Sequence, residues 1–89
     1  MKLKGYWVEI KFKKSAIKDL SKFNKTIQNK ILEKIEDLIY FPNISNIKKL
    51  TNFYPPYRLR VGDYRILFDI NENIVIFAIK HRKDIYKWD

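Results

Sequence analysis

The sequence predicts an α+β protein in which an N-terminal strand and a two-helix antiparallel hairpin precede a C-terminal three-strand meander. The helices are expected to pack on one face of a small, mainly antiparallel sheet. Two observations predict this class. Polar and apolar residues alternate along residues 6–12 and 57–70, as they do in strands with one buried face. Between these segments, apolar residues recur at helical spacing. With 89 residues, a single domain is expected over residues 1–89.

The first strand is predicted over residues 6–12. Its core-facing side chains are expected to be Tyr6, Val8, Ile10 and Phe12. A short helix follows with Ser15 as a candidate N-cap, and a longer helix begins after Asn24, a second candidate cap. Pro42 ends the second helix. The predicted buried positions are Ile17, Leu20 and Phe23 in the first helix and Ile27, Ile31, Ile35, Leu38 and Ile39 in the second.

A β-hairpin is predicted over Tyr57–Ile70, with Gly62 and Asp63 as its two-residue turn. This register places Arg60 opposite Arg65. The apolar face is then formed by Tyr57, Leu59, Val61, Tyr64, Ile66, Phe68 and Ile70, and the other face by Arg58, Arg60 and Arg65. Like charges directly opposite each other destabilise a sheet by up to ~1 kcal/mol. A chain that places its arginines in this way is therefore expected to bind an anion on that face.

Residues 43–56 are predicted to be a loop, because asparagine and proline recur there. Lys48 and Lys49 lie within it and are either a solvated pair or two further phosphate contacts. The last strand, Ile74–Ile79, is nearly continuous in apolar residues and is therefore expected at a central position.

If Val75, Phe77 and Ile79 face the core, Lys80 falls on the arginine face. The tail that follows, from His81 to Asp89, is rich in cations and carries two aromatic residues. Next to the arginines it would form a wall of an RNA-sized site, with Tyr86 or Trp88 able to stack on a base.

Composition narrows the functional classes. The absence of cysteine excludes disulfides and thiolate metal sites, and the single histidine excludes a multi-histidine metal site within one chain. No cofactor is expected, and a cytoplasmic protein is the natural reading. The net charge of +9 and the pI near 9.8 point to nucleic acid, an anionic membrane surface or an acidic protein partner. The alternative is a lysine-rich solvated surface, but the clustered arginines favour anion binding.

Three segments in this order, KKL, YRLRVGDYRILFDI and IVIFAIKHRKDIY, resemble the RelE/ParE toxin superfamily of toxin–antitoxin systems. The resemblance extends over essentially the whole chain and implies a RelE-like fold. RelE-type members cut messenger RNA in the ribosomal A site, whereas ParE-type members act on DNA gyrase without cutting RNA. The implied partners are the ribosome, mRNA and a cognate RelB-like antitoxin. From the basic charge we expect that antitoxin to offer an acidic, partly disordered segment that wraps the toxin.

The resemblance also implies site residues. It matches the family's functional residues to Arg58, Arg60, Arg65, Arg82 and Tyr86, with His81 beside them, and these six residues are the expected catalytic set. By their charge and predicted position, the expected substrate contacts are Lys48, Lys49, Lys80 and Lys83. The arginines would stabilise the charge that develops on phosphate, and Tyr86 or His81 would transfer protons. Lys80 is an alternative to Arg82. Two other functions stay open: a ParE-like gyrase inhibitor, and a fold that binds RNA phosphate without cleaving it.

Overall fold

The structure is a computed structural model that describes the backbone of residues 2–3, 6–7 and 9–85 and the side chains of residues 9–85. The elements in chain order are β1 (Lys2–Leu3), β2 (Tyr6–Trp7), β3 (Ile10–Phe12), α1 (Lys14–Ser21), α2 (Lys25–Glu36), a 3₁₀ helix (Asp37–Tyr40), β4 (Ile47–Lys49), β5 (Tyr57–Val61), β6 (Tyr64–Ile70), β7 (Ile74–His81) and α3 (Arg82–Ile85). No helix within the described residues is long and apolar enough to cross a membrane.

The main sheet has five strands in the order β3-β7-β6-β5-β4. β3 is parallel to β7, and the other pairs are antiparallel. The predicted α+β class, the mainly antiparallel sheet, the C-terminal meander β5–β6–β7 and the central position of β7 are therefore confirmed.

The single strand predicted over residues 6–12 is wrong. Only Ile10–Phe12 joins the main sheet, because β7 begins at Ile74 and this residue pairs with Ile10. Tyr6–Trp7 instead pairs with Lys2–Leu3 in a separate two-stranded ladder. The side chains of Tyr6 and Val8, which were expected in the core, lie outside the described residues.

The hairpin register is confirmed residue by residue: Arg60 opposes Arg65, and Val61 opposes Tyr64. Gly62 has φ +58°, a left-handed conformation that glycine adopts without steric cost. The apolar side chains of both strands enter the core, so the arginines project from the opposite face.

A β-bulge changes the alternation of β7. Leu67 of β6 pairs with Ala78, whereas the next residue, Phe68, pairs with Ile76, so Phe77 is the extra residue. The buried residues are consequently Ile74, Ile76 and Ile79. The prediction that Val75 and Phe77 face the core is wrong, although Ile79 does so.

α1 lies beside the edge of β7 beyond the end of β3. The Ser15 hydroxyl donates to the Phe77 carbonyl oxygen at 2.6 Å, and the Ile79 N–H donates to Asp19 Oδ2 at 3.0 Å. Ser15 is therefore inside the helix, and Lys13, not Ser15, occupies the N-cap position. The buried positions of α1 are Ala16 and Asp19, whereas Ile17 is 56% exposed. The predictions for Ser15 and Ile17 are wrong because the helix begins earlier and turns a different stripe toward the sheet.

α2 begins where it was predicted to begin, but it ends at Glu36, and a 3₁₀ helix continues to Tyr40 before Pro42. Of the predicted buried positions, Ile27 and Ile39 are only partly buried. The Asn24 side chain accepts a hydrogen bond from the Ile27 N–H at 3.0 Å and caps the helix. Ile31, Ile35 and Leu38 are buried against the same sheet face as α1. Both helices therefore cover the apolar face of the sheet, and neither covers the face that carries the arginines.

The prediction that residues 43–56 are a loop is only partly correct, because they include a short strand. Ile47–Lys49 forms the edge strand β4, which pairs antiparallel with Tyr57–Leu59 of β5. Asn46 and Asn52 have φ +67° and +63°, a region that asparagine tolerates better than most residues. A strand of three residues is too short to show an alternating pattern, which is why the sequence did not indicate it.

Candidate functional site

An open cavity of about 370 Å³ lies on the sheet face opposite the helices. Its lining residues are Asn46, Ile47, Lys48, Arg58, Arg60 and Arg65. Alternation along β5 places Arg58 and Arg60 on this face, and the antiparallel pairing with β6 brings Arg65 opposite Arg60. Among the described residues, the lining thus combines four cationic side chains and no carboxylate. Such a cavity suits an anion with several acceptor oxygens, of which phosphate is the most common.

Arg58 is the most deeply placed of the arginines, at 3% exposure. Its Nη1 donates to the Pro55 carbonyl oxygen at 2.8 Å and to the Tyr57 carbonyl oxygen at 3.2 Å. Its guanidinium carbon also lies 5.9 Å from the centre of the Phe53 ring. The sequence predicted an anion ligand on an open face. The structure adds a second task, because these contacts fix the loop before β5 to the cavity wall.

Arg65 and Arg60 differ in exposure. Arg65 is half-buried, and its Nη1 donates to the Gly62 carbonyl oxygen at 3.0 Å and to the Tyr64 carbonyl oxygen at 3.2 Å. These bonds hold the Arg65 guanidinium toward the hairpin turn. Arg60 is exposed, so its charge faces the solvent-filled part of the cavity.

The two lysines of β4 lie on different faces. Lys48 pairs with Arg58 and lines the cavity. Lys49 Nζ lies 5.6 Å from the centre of the Tyr57 ring, and Tyr57 packs on the helix-covered side. Lys49 therefore does not line the cavity, because successive residues of a strand point to opposite faces, and its substrate contact stays a prediction.

Lys80 does not line the cavity either. Its backbone pairs with Arg65, but its ammonium group forms an ion pair with Asp19 Oδ1 at 3.1 Å. Asp19 is itself 6% exposed and accepts the Ile79 N–H through its other oxygen. The ion pair draws Lys80 to the edge of β7 beside α1, away from the cavity lining, and its role as a substrate contact stays a prediction.

His81 lies on the helix-covered side of the sheet. Its ring is edge-on to Tyr64, with centroids 5.3 Å apart, and Tyr64 in turn contacts Phe23 of the segment between the helices. The His81 Nδ1 atom accepts the Lys83 N–H at 3.2 Å. Its predicted convergence with the arginines is wrong, because His81 pairs with Tyr64 and, two residues after the buried Ile79, lies on the same face of β7.

Arg82 and Lys83 begin α3 at the hairpin turn, and both are exposed. The Arg82 N–H donates to the Asp63 carbonyl oxygen at 2.7 Å, and Arg82 Nε lies 3.7 Å from Asp63 Oδ1. Arg65 also bonds to this turn, so Arg82 approaches the arginine cluster from its turn end. Neither Arg82 nor Lys83 lines the cavity. Tyr86, the predicted proton-transfer residue, lies outside the described residues.

Three features of the site were not found from the sequence. Asn46 lines the cavity, and its carbonyl oxygen accepts the Arg60 N–H at 2.9 Å. Asp19 anchors Lys80, and the only sequence signal for it is a carboxylate within the apolar stripe of α1. Phe53 and Tyr54 are exposed at 43% and 74%, and the signal was two adjacent aromatic residues in a polar loop. Among the side chains of residues 9–85, no cluster of acidic residues and histidine could hold a metal ion.

A family model described as "ParE toxin of type II toxin-antitoxin system, parDE" matches residues 10–86. Toxin RelE3 of Methanocaldococcus jannaschii is 33% identical over 86 residues, which is 91% of this chain and 98% of that protein. The chain belongs to the RelE/ParE toxin superfamily.

Solved structures agree with this membership. The RelB–RelE antitoxin–toxin complex from Methanococcus jannaschii contains a chain of TM-score 0.72 and 33% identity, matched over 88% of this chain and 96% of that one. The isolated RelE toxin of E. coli matches with TM-score 0.69 over 92% of this chain and 94% of its own, and at 17% identity it supports the fold alone. The predicted RelE-like fold is confirmed, and the protein is a RelE-family toxin of a type II toxin–antitoxin system.

Proposed function

We propose that this RelE-family toxin is a ribosome-dependent endoribonuclease that cleaves mRNA in the A site. The supporting observation is the cavity in which Arg58, Arg60, Arg65 and Lys48 meet, with no carboxylate among the lining residues that the structure describes. The resemblance to RelE-type toxins suggests mRNA as the substrate, and the positive net charge of the protein would attract RNA. Such a protein acts in the cytoplasm, where ribosomes are.

In the proposed reaction, the ribose 2′-oxygen forms a bond to the adjacent phosphorus while the bond from phosphorus to the 5′-oxygen breaks. Negative charge accumulates on the non-bridging oxygens as this happens. Guanidinium groups stay protonated at neutral pH and stabilise that charge through hydrogen bonds. We assign this task to Arg60 and Arg65, with Arg58 and Lys48 adding positive potential and Arg82 reaching the turn end of the site.

Two protons must also move, one away from the 2′-hydroxyl and one to the departing 5′-oxygen. The described part of the cavity lining holds no carboxylate or imidazole, and His81 lies on the other face of the sheet. We therefore assign proton transfer to Tyr86, because a cationic site would activate its phenol by favouring the phenolate. With so few acid–base groups, the ribosome is expected to supply the substrate geometry.

A second candidate is a ParE-like inhibitor of DNA gyrase without RNA chemistry. It is favoured by the family model that matches the chain, which is a ParE model. In that case the arginine cavity would bind an anionic partner surface, and proton transfer would not be required.

Purified toxin added to programmed ribosomes, followed by mapping of message ends, tests the proposal. Wild-type protein should produce cuts in the A site, and Arg60→Ala should cut about 10²-fold more slowly, as when one oxyanion donor is lost. Lys34→Ala is the matched control, because it removes an exposed cation from α2 on the other side of the sheet.

Intact message together with gyrase trapped on DNA would establish the second candidate. A protein that only binds RNA phosphate gives a third pattern: Arg65→Ala and Tyr86→Phe would change affinity and no rate. The slope of log affinity against log salt would then fall by about one per lost phosphate contact.

We also propose that a cognate RelB-like antitoxin holds the toxin inactive by covering its basic face. Structures of RelB–RelE complexes exist for related toxins, and the net charge of +9 favours an acidic segment that folds on binding. Such a segment should protect Arg60 from chemical modification in the complex. Equal modification with and without antitoxin would contradict this placement.

A further inference from the structure

The cavity face carries an aromatic surface that the proposed chemistry does not use. Tyr54 is 74% exposed and Phe53 is 43% exposed. Tyr54 makes an edge contact with Phe77, with centroids 5.4 Å apart and ring planes at 82°. Phe77 is the bulge residue of β7, and Lys13 Nζ lies 5.0 Å from its ring centre. Most of the Tyr54 ring therefore stays open beside positive charge.

The segment that carries these rings is attached to the cavity wall. The Arg58 guanidinium donates to the Pro55 carbonyl oxygen and lies over the Phe53 ring. The Leu50 N–H donates to the Pro56 carbonyl oxygen at 2.8 Å. A ring held in this way loses little conformational entropy when a flat ligand stacks on it.

The aromatic surface and the cavity lie on one continuous face. Arg58 lines the cavity and contacts Phe53, so it belongs to both. Across the sheet Arg58 pairs with Leu67, which pairs with Ala78 next to Phe77. A single-stranded nucleic acid presents phosphates and flat bases in alternation, and proteins bind it with a basic groove flanked by aromatic rings. The cavity matches the first requirement, and Tyr54 matches the second.

We propose that Tyr54, supported by Phe53 and Phe77, is a stacking platform for an unpaired base of the RNA strand whose phosphate occupies the arginine cavity. This inference rests on the proposed function and adds a substrate-positioning residue to it. Arg58 would act as the positioning residue that couples the platform to the phosphate site, because its hydrogen bonds join the two. Stacking does not distinguish strongly between bases, so the platform would orient the message without selecting a sequence.

Binding of the full-length protein to two fluorescently labelled single-stranded oligonucleotides tests the platform. One is an RNA of adenosines, and the other has the same length and phosphates but abasic riboses. Tyr54→Ala should weaken binding to the adenosine strand by about 5- to 100-fold and leave binding to the abasic strand unchanged. Tyr54→Trp should restore adenosine binding, because it restores a flat ring. Arg60→Ala should weaken binding to both strands.

Tyr40→Ala is the matched control. Tyr40 is 61% exposed and belongs to the 3₁₀ helix, away from the residues that line the cavity. It should bind both strands as the wild type does. Thermal unfolding of Tyr54→Ala should coincide with that of the wild type, since the ring is largely solvated.

The outcomes separate the two hypotheses. Suppose that Arg60→Ala weakens binding to both oligonucleotides, whereas Tyr54→Ala weakens binding to neither of them or to both equally. The stacking platform is then wrong, and the phosphate site is still supported. If Arg60→Ala changes neither strand, or the wild type binds neither, the phosphate site fails and the platform fails with it. If Tyr54→Ala weakens only the binding of an acidic antitoxin peptide, Tyr54 is a protein contact and the platform is overturned.

Discussion

The two faces of the five-stranded sheet come from alternate residues of the same strands, yet they differ in character. On one face, Leu59 and Ile66 pack beneath α1 and α2 at 2% and 0% exposure. On the other, their neighbours Arg58, Arg60 and Arg65 surround a cavity of about 370 Å³. The comparison shows that the strands that form the core also position the arginines of the cavity. A one-residue slip in register would exchange the two faces, so the core packing also fixes the arginine geometry.

The first prediction concerns a substitution in the core on the helix-covered face of the sheet. Phe68 is fully buried and stacks on Tyr57, with centroids 5.3 Å apart. Phe68→Ala should lower the free energy of unfolding by about 3–5 kcal/mol, because it removes buried surface and leaves a cavity. Urea denaturation measures this, and Phe68→Leu should lose clearly less. A loss below about 1 kcal/mol would mean that the core does not hold the sheet as described.

The second prediction concerns the edge of β7, where Asp19 of α1 binds the backbone of Ile79 and the side chain of Lys80. Asp19→Ala leaves the buried Ile79 N–H without its acceptor and should cost about 1–3 kcal/mol of unfolding free energy. Asp19→Asn keeps an acceptor and loses the ion pair with Lys80. The Lys80 side chain is 35% exposed, so solvent screening limits that loss to about 1 kcal/mol or less.

Hydrogen exchange identifies where the Asp19 variants act. The Ile79 amide should exchange faster in Asp19→Ala than in Asp19→Asn, while the Ile66 amide should change less. Equal protection of Ile79 in both variants would show that this hydrogen bond is not what holds α1 to the sheet edge.

The third prediction concerns the turn between β5 and β6, which sets the pairing of the strands that carry the arginines. Gly62 has φ +58° and open space where a Cβ would lie, so Gly62→Ala should cost about 1 kcal/mol through backbone strain alone. Gly62→Asn should cost less, because asparagine tolerates this region. Chemical denaturation of the two variants tests the order. The reverse order would argue against a left-handed residue at this turn.

The smallest effect is expected for His81→Ala. His81 contacts Tyr64 on the helix-covered side, so message cleavage on programmed ribosomes should stay within about two- to threefold of the wild-type rate, as for an ordinary surface change. Arg60→Ala, assayed in parallel, is the reference for a cavity residue. A loss near 10²-fold in His81→Ala would place the imidazole in the reaction and remove the functional separation of the faces.

The sequence alone was sufficient for features that depend on neighbours along the chain. The hairpin register followed from alternation around Gly62, and the start of α2 followed from Asn24 and the stripe behind it. The basic character of one face followed from the same alternation. These features are local, because period, caps and turns are set by residues within a few positions of each other.

Only the tertiary structure decided which of the cations meet. Asp19 drew Lys80 to the sheet edge, although the Lys80 backbone pairs with Arg65. Pairing with β5 made a strand of Ile47–Lys49 and separated Lys48 from Lys49. Each outcome depends on contacts between residues far apart in the chain, and no periodicity within a short segment can encode them. Local sequence patterns therefore determine which charged residues each strand carries, and tertiary packing determines where their side chains lie.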